Sequence, residues 1–260
     1  MILGFDIGNS NTVLGIYSGT AFAPGAVYRY RTQREASADE TGALVRQFLL
    51  HHGGPGGEVE GVVFSSVVPE LNRTYHEMSG RYFGREALEI SCNSRLSIRI
   101  RYDDPSRLGV DRIVNAEAAY HEYARDCIIV DIGTATTFCV LHADGAYDGG
   151  IIGPGIGVTI DALSSKTSQL PRIPFEKPAR LVAGNTEDAL KSGFYYGWLS
   201  FVEGMIARIN EEYGRRFLVI LTGGYSGTMI GPALKGEVVI DSMLTMKGIR
   251  RIYELHTARG

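Results

Sequence analysis

The stretch FDIGNSNTVLGIY, Phe5 to Tyr17, opens the chain, and its form returns as VDIGTATTFCVLH, Val130 to His142. At an offset of 125 residues Asp6 matches Asp131, Ile7 matches Ile132, Gly8 matches Gly133 and Thr12 matches Thr137. The apolar flanks match as well: Phe5 with Val130, Val13 with Phe138, Ile16 with Leu141. The period is far longer than that of a solenoid repeat, so the pattern reads as a duplicated domain. Each copy is a β-rich run, a turn of small and polar residues, and a second β-rich run. An Asp ending a buried strand before Gly and hydroxyl or amide residues puts a carboxylate and backbone N–H groups at the mouth of a sheet. The N–H groups suit phosphate oxygens and the carboxylate suits a hydrated cation. A single such turn is most simply a hairpin. Two of them, each opening a similar unit, favour a nucleotide held in a cleft between the units.

Working outward, short β-rich runs alternate with helix-length segments, the signature of an α/β protein. ILGFDI, NTVLGIY and AVYRYRT read as strands. SADETGALVRQFLLHH reads as a helix with Ser37 and Glu40 at capping-box spacing. GGPGGEVEG reads as a loop, GVVFSSV and ALEIS as strands, and the segment from Pro69 to Phe83 as a helix. The link SRLSIRIRYDDPSRLGV leads into the helix DRIVNAEAAYHEYA, and residues 1–124 form a first domain. Residues 125–260 repeat the plan: strands CIIVDI, TFCVLH and YDGGIIGP, a long helix from Asn185 with breaks expected near Gly193 or Gly204, the buried strand FLVILTGG, and a closing helix LTMKGIRRIYELH.

The 260 residues are 44% hydrophobic and 21% charged, with a formal net charge of -3, so bulk composition argues for neither a nucleic-acid nor a membrane partner. MILGFDIG lacks the basic and long apolar regions of a signal peptide, and no run reaches the roughly 18 apolar residues of a membrane helix, so a cytoplasmic location is expected. Cys92, Cys127 and Cys139 show no metal spacing and read as free thiols, and the six histidines show none either. Arg95, Arg99, Arg101 and Arg107 share their link with Asp103 and Asp104 and read as a solvated face. Tyr195, Tyr196 and Trp198 read as core or subunit interface. No P-loop motif occurs. GPGIGV, Gly153 to Val158, departs from a dinucleotide fingerprint at its last position and reads as a strand-to-helix turn; TGGYSG, Thr222 to Gly227, reads as another.

The doubled hairpin resembles the acetate and sugar kinase, heat-shock and actin superfamily, and within it the chain is similar nearly end to end to the type III pantothenate kinases. The resemblance rests on DIGNSNTVLG at Asp6, SSVVP at Ser65, RYDDPSRLGVDRIVNA at Arg101, DIGTATT at Asp131, GGIIGPG at Gly149, TSQLP at Thr167, GNTEDALKSGFYYG at Gly184 and LTGG at Leu221, in that order. It implies two actin-like (ribonuclease H-like) α/β domains flanking a nucleotide cleft, and ATP-dependent phosphorylation of pantothenate, the first step toward coenzyme A. It also implies a homodimer that uses Mg2+ and a monovalent cation, K+ or NH4+. Carried over by position, Asp6, Ile7, Gly8, Asn9, Ser10, Asn11, Thr12 and Val13 form the ATP loop, and Thr134 also touches ATP. Tyr102, Gly109, Val110, Asp111 and Arg112 hold pantothenate, with Asp111 the catalytic base. Asp131 binds the monovalent cation, and Thr186 reaches pantothenate from its own chain or a partner's. Val110 stands where the family usually has alanine.

Two readings of Asp111 stay open on the residues alone: a base kept ionised by the positive end of its helix, or a plain helix cap. Arg112 offers a guanidinium fork to a carboxylate. The rival to a kinase is a non-catalytic accessory or regulatory protein on the same fold, since fold does not fix activity. A kinase for another small alcohol is the third reading.

Overall fold

The computed structural model describes residues 1–19, 21–53, 58–225 and 229–258. The centre of the GGPGGEVEG loop and the last two residues of TGGYSG lie outside them. The chain divides into two compact units, Met1–Ile98 with Tyr102–His121 and Leu244–Gly260, and Arg99–Arg101 with Glu122–Met243.

The first unit is built on β1 (Ile2–Ile7), β2 (Asn11–Ser18), β3 (Ala21–Arg31), β4 (Gly61–Ser66) and β5 (Ala87–Glu89) in the order β3-β2-β1-β4-β5. β2 runs antiparallel to β1 and β3, while β4 is parallel to β1 and to β5. Alternation along β1 sends Leu3, Phe5 and Ile7 to one face, where they meet Val45 of α1 (Ala38–Gly53) and Leu71, Tyr75 and Met78 at α2 (Asn72–Phe83). The capping box of α1 is formed: Ser37 N donates to Glu40 Oε2 at 2.8 Å and Glu40 N donates to Ser37 Oγ at 3.2 Å. Pro69 opens a 3-10 turn, Pro69–Leu71, that leads directly into α2.

The other face of β1 carries Ile2, Gly4 and Asp6. Ile2 packs there with Tyr17, Val63, Val110 and Val114 of α3 (Val110–Tyr123) and Met246, Ile249 and Ile252 of α6 (Leu244–Thr257). α6 therefore belongs to the first unit, whereas a division at residue 124 puts it in the second. The physical reason is local. A side chain at Gly248 would stand 2.0 Å from the Val114 carbonyl oxygen, so only glycine lets α6 lie against α3, and the Tyr17 hydroxyl donates to the Met246 carbonyl at 2.7 Å.

The second unit repeats the topology. β7 (Cys127–Ile132), β8 (Ala135–Leu141), β9 (Ala146–Pro154), β10 (Leu218–Thr222) and β11 (Val238–Ile240) lie in the order β11-β10-β7-β8-β9, and a two-residue strand, β6 (Arg99–Ile100), is added beside β9. Strand directions reproduce those of the first sheet. Ile128, Val130 and Ile132 face α4 (Ile156–Lys166) and α5 (Thr186–Glu212), which contribute Ile156, Ile160, Phe194, Tyr195, Trp198, Val202 and Ile209 to one core. α5 runs unbroken for 27 residues through Gly193 and Gly204. Its buried face anchors the helix on the sheet, which outweighs the cost of isolated glycines.

One detail of the repeat differs from the sequence alignment. β1 pairs Ile7 with Thr12, but β7 pairs Ile132 with Thr136, so the second turn is one residue shorter. Thr12 therefore corresponds to Thr136 and not to Thr137, and Leu14 and Ile16 correspond to Phe138 and Val140. Burial agrees, because Leu14 and Ile16 lie in the first core and Phe138 and Val140 in the second. An offset held at 125 residues through the turn would turn the strand's core side chains to the opposite face.

Candidate active site

The first hairpin closes with Gly8 N donating to the Asn11 carbonyl at 3.1 Å. Asn9, Ser10 and Asn11 are exposed at its tip, and Thr12 is buried at its base. Asp6 is half-buried, paired across the sheet with Val13 and Ser65. It stands on the face that α3 covers, the helix whose first turn carries Asp111. Ser65 shares that row, fully buried, and its Oγ has no hydrogen-bond partner among the described residues. Val67 N donates to the Ile7 carbonyl at 3.0 Å, tying the end of β4 to the end of β1.

Asp111 is the second residue of α3, one past the first, so it is not the cap. The residue before the helix is Gly109, whose carbonyl accepts from Arg112 N at 3.1 Å. The Asp111 carboxylate accepts from Arg112 N at 2.9 Å. Burial raises its pKa above the ordinary aspartate range, against the opposing pull of that N–H and the Arg112 charge. The helix end was expected to dominate here; desolvation does instead, because the carboxylate is largely removed from water. The result is a carboxylate with a stronger appetite for a proton than a surface aspartate has.

Arg112 is buried, and its guanidinium lies 5.9 Å from the centre of the half-buried Tyr102 ring. Tyr102, Gly109, Asp111 and Arg112 thus all belong to the first unit, on the turn before α3 and its first coil. Val110 turns its side chain into the cluster with Ile2 and Val114, so its departure from alanine is absorbed by the core. Upstream, the buried Glu117 on α3 accepts from Ser97 N at 2.9 Å and Ile98 N at 3.3 Å, fixing the chain that leads to Tyr102.

In the second hairpin Gly133 N donates to the Ala135 carbonyl at 2.9 Å, and Thr134 is exposed at the tip. Asp131 is half-buried and paired with Thr137 and Thr222. Gly223 has φ +90°, and a side chain there would meet Asp131 Oδ1 at 2.5 Å and the Ile132 carbonyl oxygen at 2.6 Å. GPGIGV is a strand-to-helix turn: β9 ends at Pro154, and Gly155 precedes α4.

Thr186 is exposed in the first turn of α5, which Asn185 caps by accepting from Asp188 N at 2.9 Å. It sits on the rim of an apolar groove of about 660 Å³ in the second unit, walled by Leu163, Leu170, Leu190, Phe194, Trp198 and Phe201. Of the aromatic residues on α5, Tyr195 and Trp198 are buried in that unit's core and Tyr196 is half-buried against it.

The family model for type III pantothenate kinases matches residues 2–208. A type III pantothenate kinase of Brevibacillus brevis is 43% identical over 98% of this chain and 98% of its own length. One from Moorella thermoacetica is 40% identical over 99% of this chain and 100% of its own. The chain belongs to the type III pantothenate kinase family. Its fold is shared far beyond the family: the crystal structure of a Sinorhizobium meliloti protein assigned as a 2-dehydro-3-deoxygalactonokinase superposes with a TM-score of 0.58 at 14% identity, covering 100% of this chain and 98% of the other. The two sheets are those of the actin-like and sugar kinase fold.

Within a type III pantothenate kinase the remaining features fall into structural roles. Arg99 and Arg101 are exposed and pair with Asp144 at 2.7 Å and Asp148 at 3.4 Å, the solvated face expected of them. Cys92, Cys127 and Cys139 are thiols outside any disulfide, and burial pushes the Cys127 thiol up to about 12. No group of three or more His, Cys, Asp or Glu suited to a metal ion occurs among the described residues. No helix among them is long and apolar enough to cross a membrane. Ser65 is marked in the sequence only as part of the SSVVP motif, and Thr32 carries no sequence signal, because its contacts with the Gly8 and Ser10 carbonyls are made across the sheet.

Proposed function

We propose that Asp111 is the general base with which this kinase phosphorylates pantothenate. Membership of the family gives the reaction itself: ATP-dependent conversion of pantothenate to 4'-phosphopantothenate, which opens coenzyme A synthesis. The observation that carries the residue assignment is the position of Asp111, inside the helix instead of at its cap, with a pKa raised by burial. Phosphoryl transfer asks for positioned phosphates, neutralised charge and a carboxylate to orient the attacking hydroxyl and accept its proton. Asp111 takes that proton from the primary alcohol of pantothenate, and Arg112 holds the substrate carboxylate against Tyr102. Gly109 and Val110 bind through their backbone.

The first hairpin, Asp6 to Val13, holds the ATP phosphates with the backbone N–H groups of its tip, and the family resemblance assigns Thr134 to ATP binding as well. Mg2+ commonly uses one or two carboxylates together with substrate phosphates and water. Asp6, half-buried near the end of β1 beside the hairpin, is the carboxylate we assign to it, and the ion would supply neutralisation of phosphate charge. The monovalent cation fits Asp131, whose Oδ1 and the neighbouring Ile132 carbonyl oxygen lie together against Gly223, so closely that a side chain there would stand 2.5 and 2.6 Å from them. A coupled assay with ATP and pantothenate tests the reaction; turnover of another small alcohol in its place would overturn the substrate.

The apolar groove beside Thr186 supports a homodimer. Phe194, Trp198 and Phe201 wall it, and Leu181 and Val182 of the same unit are 61% and 80% exposed. A second copy covering this surface brings Thr186 to pantothenate from the partner. Sedimentation should give a dimer that Phe201→Glu converts to monomer; an active wild-type monomer at assay concentration would exclude this.

A further inference from the structure

The base of the first hairpin is held by two hydroxyl groups, Thr12 on β2 and Thr32 just after β3. Thr32 Oγ1 donates to the Gly8 carbonyl at 2.6 Å, and Thr32 N donates to the Ser10 carbonyl at 3.1 Å. Thr12 Oγ1 lies 3.0 Å from Thr32 Oγ1. A hydroxyl has one proton to donate. Thr32 gives its proton to Gly8, so Thr12 donates to Thr32, and both bonds point toward the hairpin.

We propose that Thr32, backed by Thr12, is a positioning residue for ATP: it fixes the Gly8 peptide so that the following N–H groups of the hairpin face the phosphates. Series of hydrogen bonds polarise one another. A carbonyl that accepts a strong bond makes the N–H of the same peptide unit, here that of Asn9, a stronger donor. Thr12 is buried, which shields the pair from competition by water. None of these side chains needs to touch substrate. The inference rests on the reading of this hairpin as the nucleotide loop.

The test is steady-state kinetics on the whole chain with Thr32→Val, Thr32→Ser, Thr12→Val and Asp6→Asn. Thr32→Val should raise KM for ATP about tenfold, the order expected for one lost hydrogen bond and one stranded acceptor. It should leave kcat within about twofold and KM for pantothenate unchanged, and Thr32→Ser should restore KM for ATP. Thr12→Val removes only the donor behind Thr32 and should raise KM for ATP about twofold. Should Thr32→Val fail to fold, Thr12→Val carries the decision, and an unchanged KM for ATP in it overturns the proposal. An equal rise in both KM values, or no rescue by serine, makes Thr32 merely structural and overturns it as well. Loss of phosphate handling in Asp6→Asn with Thr32→Val unaffected overturns the series while keeping the nucleotide loop. If neither variant alters the response to ATP, the loop assignment falls and the series with it.

Discussion

Asp111→Asn should lower kcat by about 10²-fold or more, the range for a lost general base, while ATP still binds. The amide keeps the size of the carboxylate and still accepts from Arg112 N, the bond of 2.9 Å that holds the side chain in the first turn of α3. What it loses is the ability to take a proton. Stability should move the other way. Burial raises the folded pKa of Asp111 above its ordinary 3.8, so between the unfolded and folded values the folded chain binds more protons than the unfolded one. The stability this group contributes is complete below the unfolded pKa and is lost as pH climbs through the folded one. At neutral pH the buried charge is therefore a cost, and Asp111→Asn escapes it. The variant should melt at the same temperature as wild type or higher, with the gap narrowing as pH falls toward the acid range. The wild type's kcat/KM should rise with pH along an acidic limb whose midpoint lies above that of a surface aspartate. Near-normal turnover, or a clear loss of thermal stability, would return Asp111 to a structural part of the helix start.

Much of this was legible in the chain itself, for identifiable reasons. The short apolar runs ILGFDI and CIIVDI mark buried strands, and the capping box at Ser37 and Glu40 marks a helix start; both are local and both appear as read. The doubling was legible too, since both sheets share one strand order. What could not be read was decided across distance. The one-residue difference between the hairpins shows only when each strand finds its partner. α6 joins the first unit through Gly248 and Val114, which lie far apart in sequence. The sign of the Asp111 shift depends on how much water its surroundings exclude, and helix position alone pointed the other way.

Potassium or ammonium should raise the initial rate well above that in sodium at constant ionic strength, and Asp131→Asn should abolish most of that difference. The two hairpin aspartates hold equivalent places in two sheets of one strand order, but their surroundings differ. In the first unit the residue after Ser65, the partner of Asp6, is Ser66, whose Oγ donates to the Val68 carbonyl and accepts from Val68 N, both at 3.1 Å. In the second unit the residue after Thr222, the partner of Asp131, is Gly223. Its backbone lies so close to Asp131 Oδ1 and the Ile132 carbonyl oxygen that a side chain there would stand 2.5 and 2.6 Å from them. Carboxylate and carbonyl oxygens are donors for a hard cation. A bound monovalent ion would supply fixed positive charge for the developing phosphoryl transition state without titrating near neutrality. Potassium and ammonium share a size and a coordination preference that sodium lacks, hence the selectivity. Gly223→Ala should lose the salt response as Asp131→Asn does, because its methyl group would displace the Asp131 carboxylate and the Ile132 carbonyl. Asp6→Asn should instead depress the rate in every salt and weaken the response to Mg2+. Equal wild-type rates in sodium and potassium chloride would remove the cation from Asp131, and a response that survives Gly223→Ala would place it elsewhere.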